Sequence, residues 1–283
     1  MTFGGILTAI LTPFDGDGRV DEDAFVGLVH HLLENGSDGV VVAGSTGEGA
    51  TLTDAEKLRL FELAVRESGE ATVIAGTGSN DTAHSIELTA KAAEVGVDGA
   101  LVVTPYYVKP NRRGLVAHFT AVANAAPELP NVVYNIPSRC VVDIPNDLLA
   151  ELAQIDNIVA VKQARFDDIA TIEGMDLLAG NDEKLAEVLD LGGTGGICVA
   201  SHIVGPEMRR MLDEPDQRHE IDESLQDVWA AMSVTVNPIP VKTAVRMLGH
   251  DVGGFRLPMV EASTDEADEI RAVLERHNLL SAV

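Results

Sequence analysis

The chain has 283 residues, 46% hydrophobic and 23% charged, a composition that suits one large α/β barrel or two ordinary domains around a well-filled core. Its 45 acidic residues against 20 basic ones give a net charge of -25, which excludes a nucleic-acid backbone or an anionic membrane surface as partner. No basic, apolar leader precedes Gly4 and no apolar stretch nears the roughly 20 residues of a membrane span, which predicts a soluble, cytoplasmic protein. The acidic excess suits a high-salt cytoplasm or an acidic proteome equally well. Cys140 and Cys198 have no metal-ligand spacing, so they read as free thiols and no metal site is expected.

In chain order, apolar and β-branched runs recur at Gly5 to Pro13, Gly39 to Ser45, Ala71 to Gly76, Gly99 to Pro105, Asn131 to Pro137, Ile158 to Ala164, Met175 to Gly180 and Gly195 to Ser201. Segments of helical period lie between them. Asp21 to Asn35 carries Phe25, Leu28, Val29, Leu32 and Leu33 on one stripe, and Thr53 to Ser68 opens with Thr53 and Glu56 as a capping box. Strands that are continuously apolar are covered on both faces, as in parallel sheets. Eight such units predict an α/β TIM (β/α)8 barrel over residues 1–207, with residues 208–283 as helices packed on its outside. An open doubly wound sheet is the alternative, but it would carry a glycine-rich phosphate loop after the first strand. Here that position reads Thr12-Pro13-Phe14-Asp15-Gly16-Asp17-Gly18, which is turn punctuation.

Catalysis on such a barrel sits at the carboxyl ends of the strands. There the chain places Ser45, Thr46 and Glu48 after strand two, Tyr106 and Tyr107 after strand four, Tyr134, Ser138 and Arg139 at strand five, Lys162 at strand six, and Gly180, Asn181 and Asp182 at strand seven. A lysine at the mouth of a buried strand loses hydration, which lowers its pKa and leaves an amine able to attack a ketone. The plainer alternative is a lysine that snorkels to water. Ser45 and Thr46, between glycines at the start of the next helix, could seat a small carboxylate or merely cap that helix. Tyr134, one strand from Lys162, could relay protons or sit in the core. Arg139 could grip a second carboxylate or pair with one of the many surface acids.

Taken in order, Thr12-Pro13-Phe14, Gly44 to Glu48, Thr104-Pro105-Tyr106-Tyr107, Tyr134 to Arg139, Lys162, Gly192-Gly193 to Val199, and Asn237-Pro238-Ile239-Pro240-Val241-Lys242 span the whole chain. In this order and spacing the sequence resembles the dihydrodipicolinate synthase and N-acetylneuraminate lyase family of class I, Schiff-base-forming aldolases. The resemblance implies a homotetramer, without a cofactor, that binds pyruvate as an imine on Lys162. The carboxylate would rest on Ser45 and Thr46, and backbone groups at Gly180 and Ile197 would complete the pocket. Tyr134 would be the acid/base, in a hydroxyl relay with Ser45 and with Tyr107 from a neighbouring subunit.

Tyr106-Tyr107 and Ser138-Arg139 are similar to the synthase branch, in which the arginine receives the carboxylate of L-aspartate 4-semialdehyde. The implied reaction condenses that aldehyde with pyruvate to 4-hydroxy-tetrahydrodipicolinate, the entry to lysine and diaminopimelate synthesis. A 2-keto-3-deoxygluconate aldolase is the alternative, and a non-catalytic keto-acid-binding barrel a more distant one. Departures from the family are Ser45 for threonine, Gln163 for glutamate, and Cys140-Val141 for Thr-Gly beside Arg139. Relatives inhibited by lysine use an asparagine, matched here by Asn80, and acidic or histidine positions that here read His84 and Lys57. That pattern predicts insensitivity to L-lysine.

Overall fold

The computed structural model describes residues 3–280, so the extreme ends of both predicted ranges lie outside the described residues. Eight parallel strands close into a barrel in sequence order. The order of elements is β1 (Gly5–Ala9), α1 (Glu22–Glu34), β2 (Gly39–Val42), α2 (Asp54–Glu67), β3 (Thr72–Gly76), α3 (Thr82–Val95), β4 (Gly99–Val103), α4 (Arg112–Ala125), β5 (Asn131–Asn135), the single turn α5 (Pro137–Cys140), α6 (Asn146–Leu152), β6 (Ile158–Gln163), β7 (Asp176–Ala179), α7 (Leu185–Asp190), β8 (Gly195–Cys198) and α8 (Ser201–Asp213). Then come α9 (Arg218–Ser224), α10 (Gln226–Ala231), α11 (Ile239–Met247) and α12 (Thr264–Arg276). All eight predicted strands are present, each ending somewhat before the predicted limit except β3.

Strand alternation sorts the apolar residues into two cores. Leu7, Val41, Ile74, Leu101, Val132, Ala160, Leu178 and Ile197 fill the inside of the barrel. Their neighbours Ile6, Val40, Val73, Ala100, Val133, Val161 and Leu177 face the helices. Phe25, Leu28, Val29 and Leu32 of α1 join that outer layer, and the capping box of Thr53 and Glu56 starts α2 as the pattern predicts. Tyr134 lies two residues from Val132 and Lys162 two from Ala160. Parity therefore turns both functional candidates inward, and their strands pair Tyr134 opposite Lys162.

Two expectations need correction. No helix joins β6 to β7: residues 164–175 form a loop with an isolated bridge between Ile172 and Met175. The segment is short and has Asp168 at φ 57 and Gly174 at φ 81, which interrupt a helix. The boundary after residue 207 falls inside α8, a barrel helix kinked at Val204 that runs on to Asp213. The C-terminal helices continue the same core, with Val241, Ala244, Ile270 and Leu274 in the layer that holds α1 and α2.

Candidate active site

A cavity of about 250 Å³ opens at the carboxyl ends of the strands, and six of the eight candidate residues border it: Ser45, Thr46, Tyr134, Arg139, Lys162 and Gly180. Lys162 is only 5% exposed and its Nζ lies 4.3 Å from the centre of the Tyr134 ring. Burial pushes the ammonium down to about 8, against the through-space pull of Asp182. Asp182 is itself buried and spends its carboxylate on the backbone, accepting from the Val199 amide at 2.8 Å and the Ala200 amide at 3.1 Å. It fixes the turn after β8 without forming a close pair that would hold the amine protonated. Burial raises the Tyr134 phenol, with Arg139 acting the other way, so the phenol keeps its proton at neutral pH. Burial also raises the Cys198 thiol, which keeps it protonated beside the amine.

Ser45 and Thr46 do not sit at a helix start. Helix α2 begins at Asp54, and residues 44–49 form a self-bonded turn in which the Glu48 amide donates to the Ser45 carbonyl at 3.2 Å and the Gly49 amide to the Gly44 carbonyl at 3.0 Å. The turn tolerates no side chain at Gly49, where a Cβ would stand 2.0 Å from the Ala43 carbonyl oxygen. The Ser45 and Thr46 hydroxyls of this turn are on the cavity side of the barrel mouth. Thr46 is buried, and its Oγ1 accepts from the Asn237 side-chain amide at 3.0 Å. That contact leaves the Thr46 hydroxyl hydrogen available to a ligand.

Arg139 stands at the mouth on α5, exposed, and one guanidinium nitrogen donates to the Asn237 carbonyl at 3.2 Å. Among the described residues no carboxylate pairs with it, which sets aside the surface salt bridge as its role. The substituted neighbour Cys140 is buried, donates to the Thr104 carbonyl at 3.1 Å and lies outside the cavity wall. Val141 occupies a left-handed position, φ 60, where a glycine is unstrained and a β-branched residue is not. Gln163 faces outward and accepts from Asn135 at 3.0 Å, away from the chemistry.

Two candidates are not in the cavity wall. Ile197 is fully buried within the inner core, and its side chain does not border the opening. Tyr107 is 85% exposed, at φ 70, and reaches no part of the site within its own chain. Among the wall residues given no role from the sequence, two have notable side-chain amides. Asn237 bonds to both Thr46 and Arg139, and Asn181 has a buried side-chain nitrogen without a partner among the described residues. A second cavity, of about 370 Å³, shares Ser45 and Tyr134 with the first and is lined by Asp54, Lys57, Asn80 and His84.

A closed parallel barrel with a dehydrated amine at its carboxyl end, a phenol against that amine and a free guanidinium at the mouth has the constitution of a Schiff-base lyase for carboxylate substrates. The family model of the dihydrodipicolinate synthetase family matches residues 2–277. A 4-hydroxy-tetrahydrodipicolinate synthase of Thermosynechococcus vestitus is 41% identical over 293 aligned positions, covering 99% of each chain. The crystal structure of DHDPS from Cyanidioschyzon merolae with lysine bound superposes with a TM-score of 0.95 at 41% identity, covering 98% of this chain and 99% of that one. The chloride-inhibited dihydrodipicolinate synthase of Acinetobacter baumannii complexed with pyruvate gives a TM-score of 0.95 at 34% identity, covering 99% of this chain and all of that one, at 100%. The chain belongs to the dihydrodipicolinate synthetase family.

Proposed function

We propose that this chain condenses pyruvate with L-aspartate 4-semialdehyde to give 4-hydroxy-tetrahydrodipicolinate. The observation that carries the reading is Lys162, an enclosed amine with its pKa held down to about 8, facing Tyr134 inside the barrel mouth. The amine adds to the ketone carbon of pyruvate and water leaves, giving the imine. Ser45 and Thr46 hold the carboxylate. Tyr134 gives its proton to the departing hydroxyl as water leaves, takes up the proton that leaves the methyl carbon to form the enamine, and returns it to the aldehyde oxygen when the new carbon–carbon bond closes. The aldehyde's own amine then displaces Lys162, so that the ring forms and the enzyme amine is regenerated. The similar synthases support this choice of substrates, and so does the free guanidinium of Arg139.

The direct test offers pyruvate with either L-aspartate semialdehyde or the aldehyde that would give 2-keto-3-deoxygluconate, and measures product. Turnover of the first is expected; turnover of the second alone would make the chain a sugar-acid aldolase. Arg139→Ala is expected to raise KM for the semialdehyde at least about tenfold and to leave that for pyruvate within about twofold. Equal changes in both constants would give the arginine a structural role.

The site is completed in an oligomer on this reading, a homotetramer in the cytoplasm. Its support is Tyr107, Tyr106 and Val108, which project together, 85%, 37% and 55% exposed, as an uncovered apolar patch. Among the described residues no helix is long and apolar enough to cross a membrane.

The second cavity is a poor receptor for lysine, which the similar Cyanidioschyzon merolae enzyme binds. Asp54 is already engaged by His84, whose Nε2 is 2.9 Å and 3.0 Å from its two oxygens, and by Lys57 at 4.0 Å. An added ammonium would meet a charge that repels it and a carboxylate that is occupied. Initial rates titrated with L-lysine are expected to show no half-inhibition below about 1 mM, a binding free energy of roughly -4 kcal/mol. Half-inhibition at a lower concentration would contradict this.

A further inference from the structure

Behind the Ser45–Thr46 turn a charged pair lies wholly inside the protein. The side chains of Lys242, on α11, and Glu48, three residues after Ser45, are 0% and 1% exposed and meet at 2.9 Å. Lys242 Nζ also donates to the Thr12 carbonyl at 2.9 Å and stands over the rings of Phe14, at 4.4 Å, and Phe255, at 5.0 Å. The other Glu48 oxygen accepts from the Arg256 amide at 3.0 Å. Two desolvated charges are an inefficient way to stabilise a core, since apolar residues of similar volume often do as well or better. The chemistry described above does not use either group.

What the pair does hold is the turn. Glu48 has φ 52, a strained conformation for a side-chain-bearing residue, and its amide closes the turn onto the Ser45 carbonyl. The Thr12 hydroxyl donates to the Gly47 carbonyl at 2.6 Å, so Lys242 grips the same residue that grips the turn from below. Asn237, five residues before Lys242, bonds to Thr46 itself. The α11 segment therefore fastens the turn at both its hydroxyl and its carboxylate ends.

We propose that Glu48 and Lys242 are a positioning pair that sets the geometry of the 44–49 turn and, through it, the hydroxyls that receive the carboxylate of pyruvate. The inference rests on the function proposed above. Neither residue touches substrate, so the pair acts only through the turn, and its main effect falls on the binding of the keto acid.

A single substitution strands one buried charge and confounds binding with unfolding, so the primary variant removes both: Glu48→Gln with Lys242→Met. Circular dichroism is expected to match the parent. KM for pyruvate should rise at least about tenfold, with kcat at saturating pyruvate within about threefold and KM for the aldehyde unchanged. The fraction of chains trapped by borohydride should drop at limiting pyruvate and recover at high pyruvate. Glu48→Asp keeps the paired charges but shortens the reach, and should raise KM for pyruvate by a smaller factor, about threefold. It decides the matter should the double variant fail to fold. An unchanged KM for pyruvate in the folded variant, or a parallel shift for both substrates, would overturn the proposal. Failure of the parent enzyme to trap pyruvate at all would instead overturn the functional reading, so the two failures are distinct.

Discussion

Lys162→Ala is expected to lower turnover at least about 10⁴-fold while the barrel stays folded. The reaction loses its covalent intermediate, whereas the barrel loses one inward side chain at its open end. A companion variant, Lys162→Met, isolates the thermodynamic cost of holding that amine. Burial lowers the Lys162 pKa from 10.5 to about 8. Across that interval the unfolded chain binds more protons at this position than the native one, so the parent's stability rises as pH rises from about 8 to 10.5. Below the native value the penalty is constant, on the order of 3 kcal/mol. Lys162→Met should accordingly be more stable than the parent at pH 7 and lose that advantage toward pH 10.5, measured by denaturant midpoints at several pH values. A parent as stable as the variant at pH 7 would mean that the amine is better solvated than its 5% exposure implies.

The second large effect concerns the phenols. Tyr134→Phe removes the group that must move protons at the imine and is expected to reduce kcat by about 10² to 10⁴ with the fold unchanged. Tyr107→Phe should also lose activity, although Tyr107 is 85% exposed and touches nothing in its own site. If each site borrows this tyrosine from a neighbour, mixing the two inactive variants under subunit exchange creates mixed pairs with one complete site. Random pairing would then restore about one quarter of the parent activity. No recovery on mixing, or a fully active monomer in light scattering, would remove Tyr107 from the site.

Much of this architecture is legible because a strand repeats every two residues. The two-residue spacing puts Tyr134 on the face of Val132 and Lys162 on the face of Ala160, which the structure turns inward, and the stripe from Phe25 to Leu32 packs α1 against the outer face. The features that escaped are those that depend on distant parts of the chain. Asn237 meets Thr46 across 191 positions and Lys242 meets Glu48 across 194, and no local pattern encodes such a meeting. The placement of Ser45 and Thr46 at a helix start failed for a different reason. Thr53 is the stronger cap, so the glycines before it close a separate turn. The missing helix between β6 and β7 reflects a short segment interrupted by left-handed backbone at Asp168 and Gly174.

The central claim is that Lys162 is the nucleophile, and intact and peptide mass spectrometry after borohydride reduction tests it most directly. Lys57, Lys91, Lys184 and Lys242 are, like Lys162, at least partly buried, so the site of reduction discriminates among them. With pyruvate present the chain should gain the mass of pyruvic acid less one oxygen atom, carried entirely by the peptide that contains Lys162 and absent from Lys162→Ala. An adduct on Lys57 or Lys242, or a chain left unmodified under conditions of full turnover, would contradict the account.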